Sequence, residues 1–259
     1  MDASSLIIPV VFVIVVWWVS TGVILYLDQL PPSTFFVSLS CATAVAVGAL
    51  MMLALASHEM TVVNAYIAFT AAILIWGWQE MAFLMGKITG SRRSACPRDA
   101  TETQKFFYAT EAILYHEIAL IVTMVVLFFA SWNQPNQVGA YTFLILWVMR
   151  LSAKLNLFLG VRNRYESFLP PHLTYLESYF GRRSINLLFP VVVTAASVVT
   201  FLLWQSALAT TATPYERVSL TLLAILLTLA VLEHWFLVIP FSVEKMWHWA
   251  LSKRSGDAR

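Results

Sequence analysis

Apolar residues run through this chain in seven long blocks, roughly 7–27, 33–56, 62–86, 105–130, 139–160, 185–208 and 218–243. Each is long enough, at ~20 residues, to cross the ~30 Å of hydrocarbon in a bilayer as an α-helix. The punctuation between blocks is short and uses turn chemistry: Pro31-Pro32 after the first, and Asn133-Gln134-Pro135-Asn136 after the fourth. Residues of this kind stop one helix and start the next. Two connectors are longer, 87–104 and 161–184. The pattern predicts an all-α, polytopic membrane protein, a bundle of about seven transmembrane helices forming a single domain over 1–259. The first block lacks a basic leader and a small-residue cleavage site, so it is expected to remain as a helix rather than act as a signal peptide.

Composition agrees with the pattern. The chain is 59% hydrophobic and 12% charged, with a mean hydropathy of +0.75, which places it in the multi-spanning membrane class. Its net charge of +2 and the absence of basic runs interleaved with aromatics predict no nucleic-acid partner. The charges that are present are lopsided. Lys87, Arg92, Arg93, Arg98, Lys105, Arg162, Arg164, Arg182, Arg183, Lys245, Lys253, Arg254 and Arg259 make 13 of the 16 Lys and Arg, and all fall on one side of a seven-span arrangement. The positive-inside rule therefore predicts a periplasmic N-terminus and a cytoplasmic C-terminus. Cys41 and Cys96 have no metal-ligand spacing and are expected to stay unpaired. The tail from Lys245 to Arg259, with Trp247, His248 and Trp249, reads as a short helix on the membrane surface.

Ionisable residues inside the blocks change the picture most. A charge at mid-bilayer depth costs at least ~2.5–3.5 kcal/mol on insertion scales, so such residues have partners or a use. Glu80, Glu111, His116, Glu117, Arg150, Lys154, Glu233 and His234 fall at ~9–18 Å from the basic side on a 1.5 Å-per-residue ruler. They form a layer rather than a scatter. Arg150 and Lys154 are four apart and share a helix face, as an ion-pairing unit would. A metal site for iron or zinc would draw on Glu80, Glu111, His116, Glu117, Glu233 and His234 from separate helices. Spacing gives it no support: Glu111 and His116 lie about 140° apart on one helix, and no Glu-x-x-His pair is present. His116 or His234 could instead ligate the magnesium of a chlorin in a dry pocket. Internal ion pairing and hydrogen bonding is the plainest account of the layer.

The connector 161–184 is the most individual stretch. It turns at Pro170-Pro171, then runs amphipathically through His172, Leu173, Leu176, Tyr179 and Phe180, a face suited to docking on a membrane or a partner. Phe168, His172, Tyr175, Tyr179 and Phe180 are the candidate docking residues. Lys154-Leu155-Asn156-Leu157-Phe158-Leu159-Gly160-Val161, Phe168-Leu169-Pro170, His172-Leu173, Tyr175-Leu176 and Ser178-Tyr179-Phe180 resemble the PuhE family, photosynthetic complex assembly proteins of purple phototrophic bacteria. Trp78-Gln79-Glu80, Tyr115-His116-Glu117 and Glu233-His234-Trp235 fit it as well, and Arg162 departs from the proline that commonly follows Gly-Val there. The resemblance implies a multi-pass protein of the bacterial inner, intracytoplasmic membrane. It also implies a role in assembling the reaction centre and core antenna, with reaction-centre or light-harvesting subunits as partners beside membrane lipid. Bacteriochlorophyll or a precursor is the pigment it implies.

Two functional readings stay open. One is a non-enzymatic assembly factor that holds apoprotein or pigment. The other is a membrane-embedded metalloenzyme acting on a tetrapyrrole or other lipophilic substrate, for which at least four of the acidic and histidine side chains must converge on one point.

Overall fold

The computed structural model describes residues 4–164 and 169–240, with 246, 247 and 249. Seven long helices follow one another: α1 (Ser4–Asp28), α2 (Phe35–Ala56), α3 (Val62–Leu84), α4 (Glu102–Ala130), α5 (Val138–Leu159), α6 (Leu188–Ala207) and α7 (Pro214–Phe236). Short 3-10 turns occupy Pro32–Thr34 and Pro171–Tyr179, and the described residues contain no strand. All seven helices are long and apolar enough to cross a membrane.

The helices are not equivalent. The apolar windows of α3 and α7 are 61% and 56% buried, against 17–22% in the other five. These two therefore form the centre, and the rest present apolar faces outward: Phe36, Leu55, Phe129, Val191 and Phe201 are all exposed. Small residues explain why α3 can be central. Ala65, Ala68, Ala71, Ala72 and Ala82 are buried along it, and small side chains let helix backbones approach where no hydrophobic drive operates between lipid-solvated helices. Gly139 of α5 uses this: a Cβ there would stand 3.2 Å from the Ala68 carbonyl oxygen and 2.5 Å from Leu53. Val13, Phe69, Val138, Leu222 and Leu226 fill the dry half of the bundle between α1, α3, α5 and α7. The Phe12 and Tyr66 rings meet edge-on at 4.9 Å beside it.

The seventh block is shifted from the 218–243 expected. α7 starts at Pro214 because Thr213 and Glu216 form a reciprocal capping box with proline in the first turn. It stops at Phe236 because Asn163 occupies its end. The Asn163 amide donates to the carbonyls of Phe236 (2.7 Å) and Ile239 (2.5 Å), and its backbone N–H donates to Leu237 (2.9 Å). Pro240 then follows. A second capping box, Thr101 with Gln104, starts α4 three residues before the expected 105. α3 closes on Gly86 at φ +70, where Gly86 N–H donates to Phe83 and Lys87 N–H to Ala82. This is the left-handed closure that glycine adopts without penalty.

The connector 87–104 does not stay outside the bundle. Thr89 is buried, and its carbonyl accepts the backbone N–H of His116, in the middle of α4, at 3.0 Å. Gly90 lies so close to α4 that a Cβ would fall 2.0 Å from the Glu111 carbonyl oxygen and 2.5 Å from the Ala112 carbonyl carbon. The connector 161–184 also turns inward. Leu173, Leu176 and Tyr179 are buried with Phe83, Leu84 and Ala112. Both connectors thus cap the basic end of the bundle. Of the tail, Trp247 is buried against α1, its indole N–H donating to the Trp18 carbonyl at 3.1 Å. The rest of the tail expected to form a short surface helix lies, apart from Met246 and Trp249, outside the described residues.

Candidate functional site

α3 brings Glu80, α4 brings His116 and Glu117, and α5 brings Arg150 and Lys154 to one level beneath the cap. The Arg150 Nη2 donates to Glu80 Oε2 at 3.0 Å. One turn along α5, Lys154 Nζ donates to Glu117 Oε1 at 2.6 Å, with both side chains mostly enclosed. The i, i+4 pair on α5 therefore takes one acid from each neighbouring helix. His116 is fully buried with its ring 4.6 Å from that of Phe83. Its Nε2 lies 3.9 Å from Glu80 Oε1. That oxygen and both imidazole nitrogens have no hydrogen-bond partner.

The other expected site residues stand apart from this cluster. Glu233 on α7 is exposed and accepts the Trp17 indole N–H of α1 at 2.7 Å. His234, its neighbour, lies about 100° round the helix and is buried. Its Nδ1 is 2.8 Å from the Ala230 carbonyl and its Nε2 is 2.7 Å from Ser152 Oγ. A carbonyl can only accept, so Nδ1 carries the proton, and the single Ser152 hydroxyl proton is shared between His234 Nε2 and the Met149 carbonyl at 2.8 Å. Glu111 is exposed at the rim of the cap. Among the described residues, no three His, Cys, Asp or Glu side chains are grouped as a metal site. The six candidate ligands divide among four places, and the cation of Arg150 occupies the second oxygen of Glu80. Each candidate axial histidine is covered by its own neighbours, Phe83 over His116 and Ser152 on His234.

Of the expected docking residues, Phe168 lies outside the described residues. His172 is exposed, with Nε2 2.8 Å from the Leu84 carbonyl. Tyr175 and Phe180 are half-buried. Tyr179 is buried: its hydroxyl donates to the Ser94 carbonyl at 2.8 Å and accepts from Arg92 Nε at 2.8 Å. Arg92 also sits 4.1 Å over the Tyr108 ring. Burial pushes the Tyr179 phenol above its ordinary value of 10.0, with the Arg92 hydrogen bond opposing. The Tyr179 bond in turn holds the Arg92 guanidinium above its usual value. Tyr179 thus ties one cap connector to the other. Sequence reasoning missed its partners Arg92 and Ser94, and also Trp17, Ser152 and Gly90; only the glycine, in a run free of charge from Ile88 to Ser91, carried a local signal.

A protein family described as Protein of unknown function (DUF3623) matches residues 3–258. The chain belongs to the DUF3623 family. A Rhodobacter capsulatus relative, described as an uncharacterized 30.4 kDa protein in the puhA 5′ region, is 37% identical over 242 residues, covering 92% of this chain and 88% of its own length. No solved structure matches. The polar cluster and both cap connectors fall within the span that defines this DUF3623 chain.

Proposed function

We propose that this DUF3623 protein is a non-enzymatic membrane assembly factor for the photosynthetic reaction centre and core antenna, of the PuhE kind. The observation that carries the reading is the relative in the puhA 5′ region, matched nearly end to end, together with the resemblance in the 154–180 segment. In this reading the protein sits in the bacterial inner membrane with its capped, basic end cytoplasmic. Its partners are reaction-centre or light-harvesting subunits, and its pigment-related role is adjusting or holding bacteriochlorophyll during their assembly. Pairing of Glu80 with Arg150 and of Glu117 with Lys154 supports a structural duty for the polar layer.

The test is an in-frame deletion in a purple phototroph with two readouts. Assembled complex is measured by near-infrared absorption of membranes, and tetrapyrrole intermediates are measured in extracts. The proposal expects less complex with an unchanged intermediate profile. A build-up of one intermediate would favour the metalloenzyme reading instead, and wild-type complex levels would remove the assembly role.

A further inference from the structure

A cavity of about 330 Å³ opens at the basic end, where the start of α4, the end of α5 and the connector 161–184 meet. Lys105, Arg164, Arg182 and Arg183 line it, with Glu102 and Glu177 as the acids among the described lining residues. Cations on this side serve topology wherever they are placed. Topology alone does not gather Lys105 from the start of α4 and Arg164, Arg182 and Arg183 from both ends of the connector 161–184 around one hollow. Among the described residues, Lys105, Arg182 and Arg183 make no ion pair. Four cations against two acids leave this concavity net positive, a site for an anion.

The wall that carries two of them is fixed by a backbone contact. Gly160, at φ +105, ends α5, and a Cβ there would stand 2.7 Å from Arg183 N. A Cβ on Gly181 would stand 2.5 Å from Gly160 N. The Gly181 N–H donates to the Leu157 carbonyl at 2.9 Å. Arg182 and Arg183 are therefore pinned against the end of a spanning helix instead of trailing in a free loop. At its rim the lining turns apolar: Leu159, at the end of α5, is exposed, and Phe180 is half-buried. A ligand here meets guanidinium and ammonium groups at one end and lipid-facing side chains at the other.

We infer that this cavity binds a phosphate-bearing anion, and that at this end of the bundle the phosphate is the headgroup of an anionic phospholipid whose acyl chains leave past the exposed Leu159. Guanidinium pairs suit phosphate oxygens, and basic hollows between spanning helices recognise anionic headgroups.

The experiment uses the full chain purified in mild detergent, with lipid adducts read by native mass spectrometry. Phosphatidylglycerol is expected to bind at least about tenfold more tightly than phosphatidylcholine, at roughly fivefold per cation. Lys105→Gln/Arg182→Gln/Arg183→Gln should abolish that preference while keeping the wild-type circular dichroism. Glu102→Gln/Glu177→Gln should strengthen it. Lys87→Gln/Arg98→Gln, cations of the same end that do not line the cavity, should leave it unchanged. A triple variant that keeps the preference, or a control pair that loses it equally, would overturn the site. Inorganic phosphate is the second probe. If it raises the melting temperature of the wild type but not of the triple variant, and phosphatidylglycerol shows no preference, the phosphate site stands and its lipid source falls.

Discussion

Removing Glu80 and Arg150 singly and together tests whether the polar layer is the glue of the bundle. The Glu80 side chain is 9% exposed, so Arg150→Leu leaves a carboxylate enclosed with its salt-bridge cation gone. Stranding one member of a buried ion pair costs about 3–5 kcal/mol. The Arg150 side chain is 47% exposed, so Glu80→Leu strands a guanidinium that can still turn outward, and its cost belongs at the low end, about 3 kcal/mol. The double variant places two leucines face to face and should return to within about 1–2 kcal/mol of wild type, since apolar replacement of a buried pair is often near neutral. The coupling energy is then at least about 4 kcal/mol. Unfolding in mixed micelles, followed by tryptophan fluorescence, measures all four proteins. Singles that add to give the double, with coupling below about 0.5 kcal/mol, would refute the pairing as a structural unit. A double variant as stable as wild type that fails the complex-yield assay of the proposed function would show instead that the ions themselves do the work.

Two further predictions probe the cap. Gly90→Ala puts a methyl 2.0 Å from a helix carbonyl that cannot yield, so it should cost more than about 3 kcal/mol and lower the melting temperature sharply; a wild-type melt would mean that 87–104 does not enter the bundle. Tyr179 has its phenol pK raised by burial, so the folded form holds its proton where the unfolded chain releases it. Its contribution is intact below the ordinary value of 10.0 and fades as pH climbs from there through the raised folded value. Tyr179→Phe should cost about 1–3 kcal/mol at neutral pH, through the acceptor and donor it leaves unmatched. It should also flatten the loss of stability above pH 10.0 in an alkaline melting series; an unchanged alkaline slope would reject the buried phenol.

The seven spans were readable because hydropathy over a 20-residue window is decided by composition, and lipid solvation enforces it. Where the reading slipped, polar residues did helical work. Thr213 and Glu216 look like loop to a hydropathy scan but are a cap, and Asn163 ends α7 from another segment entirely. The polar layer was legible as a layer because depth follows from residue count. Its pairs were not, because sequence gives the angle of each residue on its own helix and not which helices are neighbours. Trp17 with Glu233 and Ser152 with His234 are contacts of that kind. The 172–180 segment shows the same limit from the other side. Its apolar stripe was read as a docking face for a membrane or a partner, because periodicity cannot distinguish either from the chain's own α4 as the surface buried against. The structure puts Leu173, Leu176 and Tyr179 on the last of these.

The arrangement of contacts along α5 gives the polar layer a purpose beyond attraction. Measured hydrogen bonds between spanning helices contribute only about 0.6 kcal/mol on average, so two ion pairs need not be there for bulk stability. They are four residues apart and face different helices, Arg150 toward α3 and Lys154 toward α4. Slipping α5 by one residue turns both by about 100° and moves them about 1.5 Å, breaking both pairs at once. The layer therefore sets the rotation of α5. What α5 carries beyond it depends on that rotation. Asn156 Oδ1 receives the Asn186 amide at 3.0 Å, and Asn186 Oδ1 accepts the Leu188 N–H at the start of α6. Gly160 abuts Gly181 and Arg183. A register held by Glu80 and Glu117 inside the bundle is thus passed, through one rigid helix, to the placement of Arg182 and Arg183 on its surface. The near-neutral Glu80→Leu/Arg150→Leu double variant should accordingly weaken the anion binding proposed for the basic end while the bundle still folds.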